Sequence, residues 1–315
     1  MRTAQVAARS GGQFLLQYEM EITNASSKTM TIQRIEALGP ESLLLLEGEA
    51  LTRAFPEGFP AKAVVPGVQS TAVVFAFSVD RVPASLTHRI RFQMGDNPEP
   101  LTVERPGTPV RLNTLHIHPP LSGANWLALN GPRGNHHHTG GLMPYQGRVH
   151  VPQRFAIDFV QLEPSGGTHH GEAKVNRNHH CYGVQALSVA EATVLEVRDG
   201  IPENVPDPEK RAVSMTLATV SGNHIVLDLG HGRFPPTPTF SRAPSAHKGD
   251  RVRVGEQLGL VGNSGNSAEP HLHSQITDGP EILGSDGLPY ELVTFVHDGK
   301  RVRNELPRNR WVIDF

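Results

Sequence analysis

The sequence predicts a mainly β protein, with a β-sandwich-like N-terminal domain followed by a second, antiparallel β domain. Short runs of β-branched and aromatic residues alternate with polar ones. Most of the 31 glycines and 26 prolines fall between those runs. No long stretch repeats apolar residues at helical spacing. A chain of 315 residues is one large or two ordinary domains, with enough length for a real core.

The first domain is expected over 1–115. "FLLQYEMEITN", "MTIQRIEAL", "TAVVFAFSV" and "HRIRFQM" have strand alternation, and "NASSK" and "GDNPEP" carry turn residues between them. This half holds no acid/base pair and no metal-ligand spacing, so its expected role is packing, targeting or substrate presentation. "PPLSGANWLALNGPRGNHHHTGG" then shifts composition toward glycine, proline and histidine. It is expected to be a connector, anchored by Trp126, at the head of the second domain, 116–315. "RVHVPQRFAIDFVQL", "VQALSVAEATVLEVRDG", "AVSMTLATVSGNHIVLDLG" and "DRVRVGEQLGLVGNSG" follow as strands with glycine at the turns. "DGIPENVPDPEKRA" has the composition of a solvated loop. "GLPYELVTFV" and "RWVIDF" either close this sheet or return to the first domain.

One segment breaks the pattern. In "HGRFPPTPTFSRAPSAHKGD", Pro235, Pro236, Pro238 and Pro244 remove ladder donors, so the stretch cannot be an interior strand.

Composition excludes several classes. With 29 Lys and Arg against 31 Asp and Glu, the net charge of −2 gives no nucleic-acid face. Cys181 is the single cysteine, so there is no disulfide framework and no cysteine-based zinc site. No run is long and apolar enough to span a membrane. The start, "MRTAQVAARSGGQFLLQYEMEITN", has no apolar core followed by a cleavage site. The unusual count is 17 histidines, clustered at His136–His138, His169 and His170, His179 and His180, and His271 and His273. Such clustering in a β protein raises a metal site as a hypothesis, against the plainer possibility of loop histidines.

The sharpest local pattern is "GNSGNSAEPHLHSQI", residues 262–276. On a strand, residues i and i+2 share a face, so His271 and His273 can point into one cleft. The spacing alone also suits two exposed strand histidines.

This turn and "PHLH", after "KGDRVRVGEQLGLVG", resemble the lysostaphin-type zinc endopeptidases, which cut peptide cross-bridges of bacterial cell walls. The resemblance extends through "QRFAIDF", "VLEVRDGIPENV", "GNHIVLDLGHG" and "GLPY", so it runs from about residue 121 to the end. The N-terminal domain is similar to a partner domain of one envelope-associated branch. The resemblance implies an antiparallel β-sheet peptidase domain, a Zn2+ ion, a peptidoglycan peptide as substrate and a place in the cell envelope, periplasmic or secreted. It implies that His273 and Asp158 are metal ligands and that His271 is the general base.

Two departures stand out. The family's first histidine ligand precedes the aspartate by four residues, where this chain has Arg154, which cannot ligate zinc. The third ligand must then come from elsewhere, with His138 first in order, then His137, then His150, or the site is incomplete. Arg154 is expected to pair with a substrate carboxylate or an acidic neighbour. The second departure is the proline-rich stretch itself. There the family carries Tyr-Ala-His-Leu followed by a turn like Gln-Pro-Gly-Ser, and the histidine stabilises the oxyanion. Back-translated with permitted codons and read from the third base, residues 235–246 give Pro-Tyr-Ala-His-Leu-Gln-Pro-Gly-Ser-Leu-Arg. A local shift of reading frame would account for the break, with a divergent proline-rich loop as the alternative; as it stands the chain is expected to lack a strand and a histidine beside the cleft. The alternative function is a degenerate member that binds wall peptides or regulates a partner hydrolase. A biotinyl-type carrier domain is disfavoured, because no modifiable lysine hairpin follows "HKGDRVRVGEQLGLVG".

Overall fold

The computed structural model describes residues 5–56, 62–111, 114–132, 137–238 and 245–315. It is nearly all β. Among the described residues the helices are Gly48–Arg53, His137–Gly140 and the 3-10 turn Asn176–Asn178. Two compact units separate, Met1–Thr114 with Pro132–Leu142, and Leu115–Gly131 with Met143–Phe315.

The first unit holds an eight-stranded sheet. Its order is Ser42–Glu47, Met30–Leu38, Ser85–Met94, Leu101–Arg111, Gln5–Ser10, Gln13–Asn24, Gln69–Val79, with Val64–Val65 added beside Met30–Leu38. Neighbours are antiparallel except where Gln5–Ser10 meets Leu101–Arg111. Alternation decides which residues form the core. Leu16, Tyr18, Met20 and Ile22 share a face of one strand and are buried, as are Val73, Phe75 and Phe77 on its partner. They pack in one cluster with Ile32, Ile35, Leu86 and Ile90 from the other half of the sheet, so the sheet folds over on itself, as a sandwich does. Tyr18 stacks on Phe75 with ring centroids 4.7 Å apart. Among the buried polar residues of this unit is His88, which is fully buried and bonded to the Tyr18 hydroxyl at 2.9 Å. Burial, and then the charge of Arg105, push the His88 imidazole down to about 4. His88 is therefore neutral near pH 7, and its Nε2 shares one hydrogen bond with the Tyr18 hydroxyl.

The second unit is built on a six-stranded sheet ordered Leu272–Ser274, Ile157–Gln161, Trp126–Leu129, Val312–Asp314, Phe295–His297, Lys300–Val302. A four-stranded sheet, Pro236–Pro238, His224–Asp228, Ala192–Arg198, Arg251–Val252, lies in the same unit, with three two-stranded pairs.

Several expectations are refined here. Trp126 is fully buried, but in a sheet strand rather than in a loop, and its indole N–H donates to the Ser122 carbonyl at 3.1 Å. Both C-terminal segments stay in this unit. Val312–Asp314 pairs with Trp126–Leu129, and Tyr290–Leu292 pairs in parallel with Leu115–Ile117. The loop after Asp199 is not simply solvated. Asn204 is buried, and its amide donates to the carbonyls of Gly265 and Ser267.

The proline-rich stretch brings a correction. Pro236–Pro238 does form a strand, paired with His224–Asp228. It stands at the edge of its sheet, where missing donors cost no ladder bonds on the outer side. No strand is therefore lost at 236–238. The rest of the stretch, 239–244, lies outside the described residues.

Candidate active site

Asp158 sits in Ile157–Gln161 between the buried side chains Ile157 and Phe159. The backbone alternation that buries the neighbours on one face puts the carboxylate on the other. Asp158 lies directly opposite His273 of Leu272–Ser274 in the antiparallel ladder and opposite Leu129 on its other side. Cross-strand pairing thus brings together two residues 115 positions apart.

The contacts fix the chemistry. His273 Nδ1 is 2.8 Å from Asp158 Oδ1, and His273 Nε2 donates to Gln275 Oε1 at 2.6 Å. Asp158 Oδ2 accepts from the Asn130 amide at 2.8 Å. His271, two residues before His273 on the same face, places Nε2 3.6 Å from Asp158 Oδ1. Its Nδ1 donates to the Glu269 carbonyl at 2.9 Å and faces Ser267 Oγ at 3.2 Å. Opposite ring nitrogens of the two histidines therefore converge on one carboxylate oxygen. Asp158 and His273 are buried, and His271 keeps 15% of its side chain open to solvent. Burial works to lower the pKa of His273, but the hydrogen bond and charge of Asp158, with the bond to Gln275, outweigh it and the net shift is upward.

Two of these contacts were not anticipated from the sequence. Gln275 continues the i+2 alternation of "HLHSQ", so its place on the histidine face was readable. Asn130 was not, because it reaches Asp158 from a neighbouring strand's end in a left-handed conformation, φ 52°.

Of the three candidates for the remaining ligand, His138 is buried, in the short helix His137–Gly140. That helix belongs to the first unit, while Asp158 and His273 are buried in the second. The side chain of His137 lies outside the described residues. His150 pairs instead with Asp286, its Nδ1 3.6 Å from Oδ2.

Arg154 has an acidic neighbour, as expected. It is buried, donates to the Gly287 carbonyl at 2.7 Å and lies 3.4 Å from Asp286 Oδ1. Asp286 in turn accepts from the Val151 N–H at 2.9 Å. Arg154 thus ties the segment before Asp158 to the 286–287 turn. Arg154→Met is expected to lower stability by about 1–3 kcal/mol, the usual cost of leaving buried polar partners unmet. Urea unfolding measures this, and zinc stoichiometry should not change.

No family model matches the sequence, and no curated protein matches it. Among the described residues no helix is long and apolar enough to cross a membrane. Among solved structures, the chain is similar to a zinc-containing peptidase from Vibrio cholerae, 16% identical over 61% of this chain and 52% of that one, with a TM-score of 0.27. It is also similar to a point variant of the catalytic domain of the prophage-encoded M23 protein EnpA from Enterococcus faecalis, 18% identical over 56% of this chain and 93% of that one, with a TM-score of 0.31.

Proposed function

We propose that the chain is a zinc-dependent endopeptidase of the lysostaphin type that hydrolyses peptide cross-links of bacterial peptidoglycan in the cell envelope. In this proposal His138, Asp158 and His273 are the ligands, His271 is the general base, and residues 1–115 are an accessory domain. The observation that carries it is the convergence of His271 Nε2 and His273 Nδ1 on Asp158 Oδ1.

The donor set fits the ion. His273 Nε2 faces Gln275 Oε1 and Nδ1 faces a carboxylate; a proton holds the Nδ1 contact in the metal-free protein, and a cation would take its place. Two acceptors at 2.8 Å need a proton or a cation between them. Imidazole nitrogen and carboxylate oxygen are the ligand types zinc takes. Bound there, zinc supplies a Lewis acid that polarises the scissile carbonyl and acidifies the attacking water.

The chain's own residues do the rest. The Glu269 carbonyl holds the proton on His271 Nδ1, which leaves Nε2 as the basic nitrogen facing the site. His271 takes the proton of the attacking water there and returns it to the departing amine. Its partial exposure suits a group that exchanges protons with substrate, and the burial of Asp158 and His273 suits groups that hold an ion. Asn130 and Gln275 fix the orientation of Asp158 and His273.

The test is incubation of zinc-loaded protein with purified peptidoglycan. New free amino groups should appear, and a chelator should stop their release. Zinc binding without cleavage would favour the wall-peptide-binding alternative.

The 235–246 stretch lowers the expected rate, since it supplies no histidine for the developing oxyanion. Replacing it with the shifted-frame residues, rejoined at each side, is expected to raise turnover by about 10²–10³, the usual worth of one such donor. Assays of both chains at saturating zinc measure the difference. An unchanged rate would place the defect elsewhere, with Arg154 the first suspect.

A further inference from the structure

We infer that Glu163, His170 and His180 form a second binding site for a divalent transition-metal ion, separate from the proposed catalytic centre. The backbone builds a small histidine ladder. His169 bridges His179, the His170 N–H donates to the Asn178 carbonyl at 3.0 Å, and the His180 N–H donates to the Thr168 carbonyl at 3.0 Å. This sets the rings of His170 and His180 side by side, 5.6 Å between centroids.

Glu163 is brought to the same place by its own turn. Its N–H donates to the Gly167 carbonyl at 2.8 Å, and Ser165 donates to Oε1. A Cβ at position 167 would come within 2.8 Å of Oε1, so the carboxylate's position depends on glycine there.

The decisive atom is His180 Nε2. It is buried, makes no hydrogen bond and lies 3.8 Å from Glu163 Oε2. That distance is too long for a hydrogen bond. It is within the span of two bonds of about 2.1 Å meeting at one ion. In this inference the third donor is the exposed His170, whose ring centroid is 5.6 Å from that of His180 and which would have to turn its ring toward the ion. Two imidazoles and a carboxylate suit zinc, nickel or copper rather than magnesium or calcium. The neighbouring pair is less available, because His179 Nε2 already donates to the Ala173 carbonyl at 2.9 Å. A metal at Glu163, His170 and His180 would clip the 163–167 turn to the ladder.

The test is zinc titration, followed by calorimetry and by metal analysis after gel filtration, of the full chain carrying both Asp158→Ala and His273→Ala. About one equivalent should still bind. Adding His170→Ala, at an exposed position, or the isosteric Glu163→Gln should weaken it at least tenfold, and His180→Ala should abolish it. A double variant that binds no zinc, while the unaltered chain binds one equivalent, would overturn this inference and leave the catalytic proposal intact. An equivalent that survives all three further substitutions would overturn it as well. If the unaltered chain binds a single equivalent that persists in the double variant and is lost with His180→Ala, the second site stands and the catalytic proposal fails.

Discussion

Asp158→Ala and His273→Ala are each expected to abolish stoichiometric zinc at the proposed centre, and with it peptidoglycan cleavage. Each change removes one proposed ligand, and both residues are buried. The gap at 158 has no ready replacement: Gln275 Oε1 stays engaged by His273, and the Asn130 amide facing Asp158 is a donor, which zinc cannot use. Asp158→Ala also leaves His273 Nδ1 without its 2.8 Å partner, and His273→Ala leaves a buried carboxylate with less compensation. Thermal unfolding of each variant separates loss of metal from loss of fold. Metal analysis should show a full equivalent lost from the folded protein, and amine release should fall to background. Retention of that equivalent in either variant would remove the residue from the ligand set.

His271→Ala should separate metal binding from turnover. Its Nε2 is 3.6 Å from Asp158 Oδ1, and its ring is oriented by the Glu269 carbonyl rather than by a ligand contact. Zinc should therefore stay at full stoichiometry while cleavage falls by about 10²–10⁴, the usual contribution of a positioned general base. If His271→Ala loses the metal and His273→Ala keeps it, the two roles are exchanged.

How much of this was readable in advance depends on the range of the interaction. The strands from Gln13 to Met94 follow from alternation, because period-2 burial is a local property. His271 and His273 sharing a face is local for the same reason. Asp158 was marked by a charge among Phe155, Ile157 and Phe159, but its position opposite His273 depends on a pairing register that no local pattern encodes. Asn130 and Asp286 are further from view, since each acts on a residue 28 or 132 positions away in the chain. Pro236–Pro238 shows the limit of a composition rule. Proline excludes an interior strand, and the chain answers with an edge strand. Where a strand sits in its sheet is decided by the whole fold, not by the residues of the strand.

The proposed activity is zinc-dependent amide hydrolysis run by His271 beside Asp158 and His273. It is tested most directly by counting new free amino groups released from purified peptidoglycan by three zinc-loaded proteins, the chain, its 235–246 repair and the repair carrying His271→Ala. Release should be slow for the chain, about 10²–10³ faster for the repair and reduced again by His271→Ala, with chelator stopping all three. Zinc bound at full stoichiometry with no amine release from either the chain or its repair would contradict it.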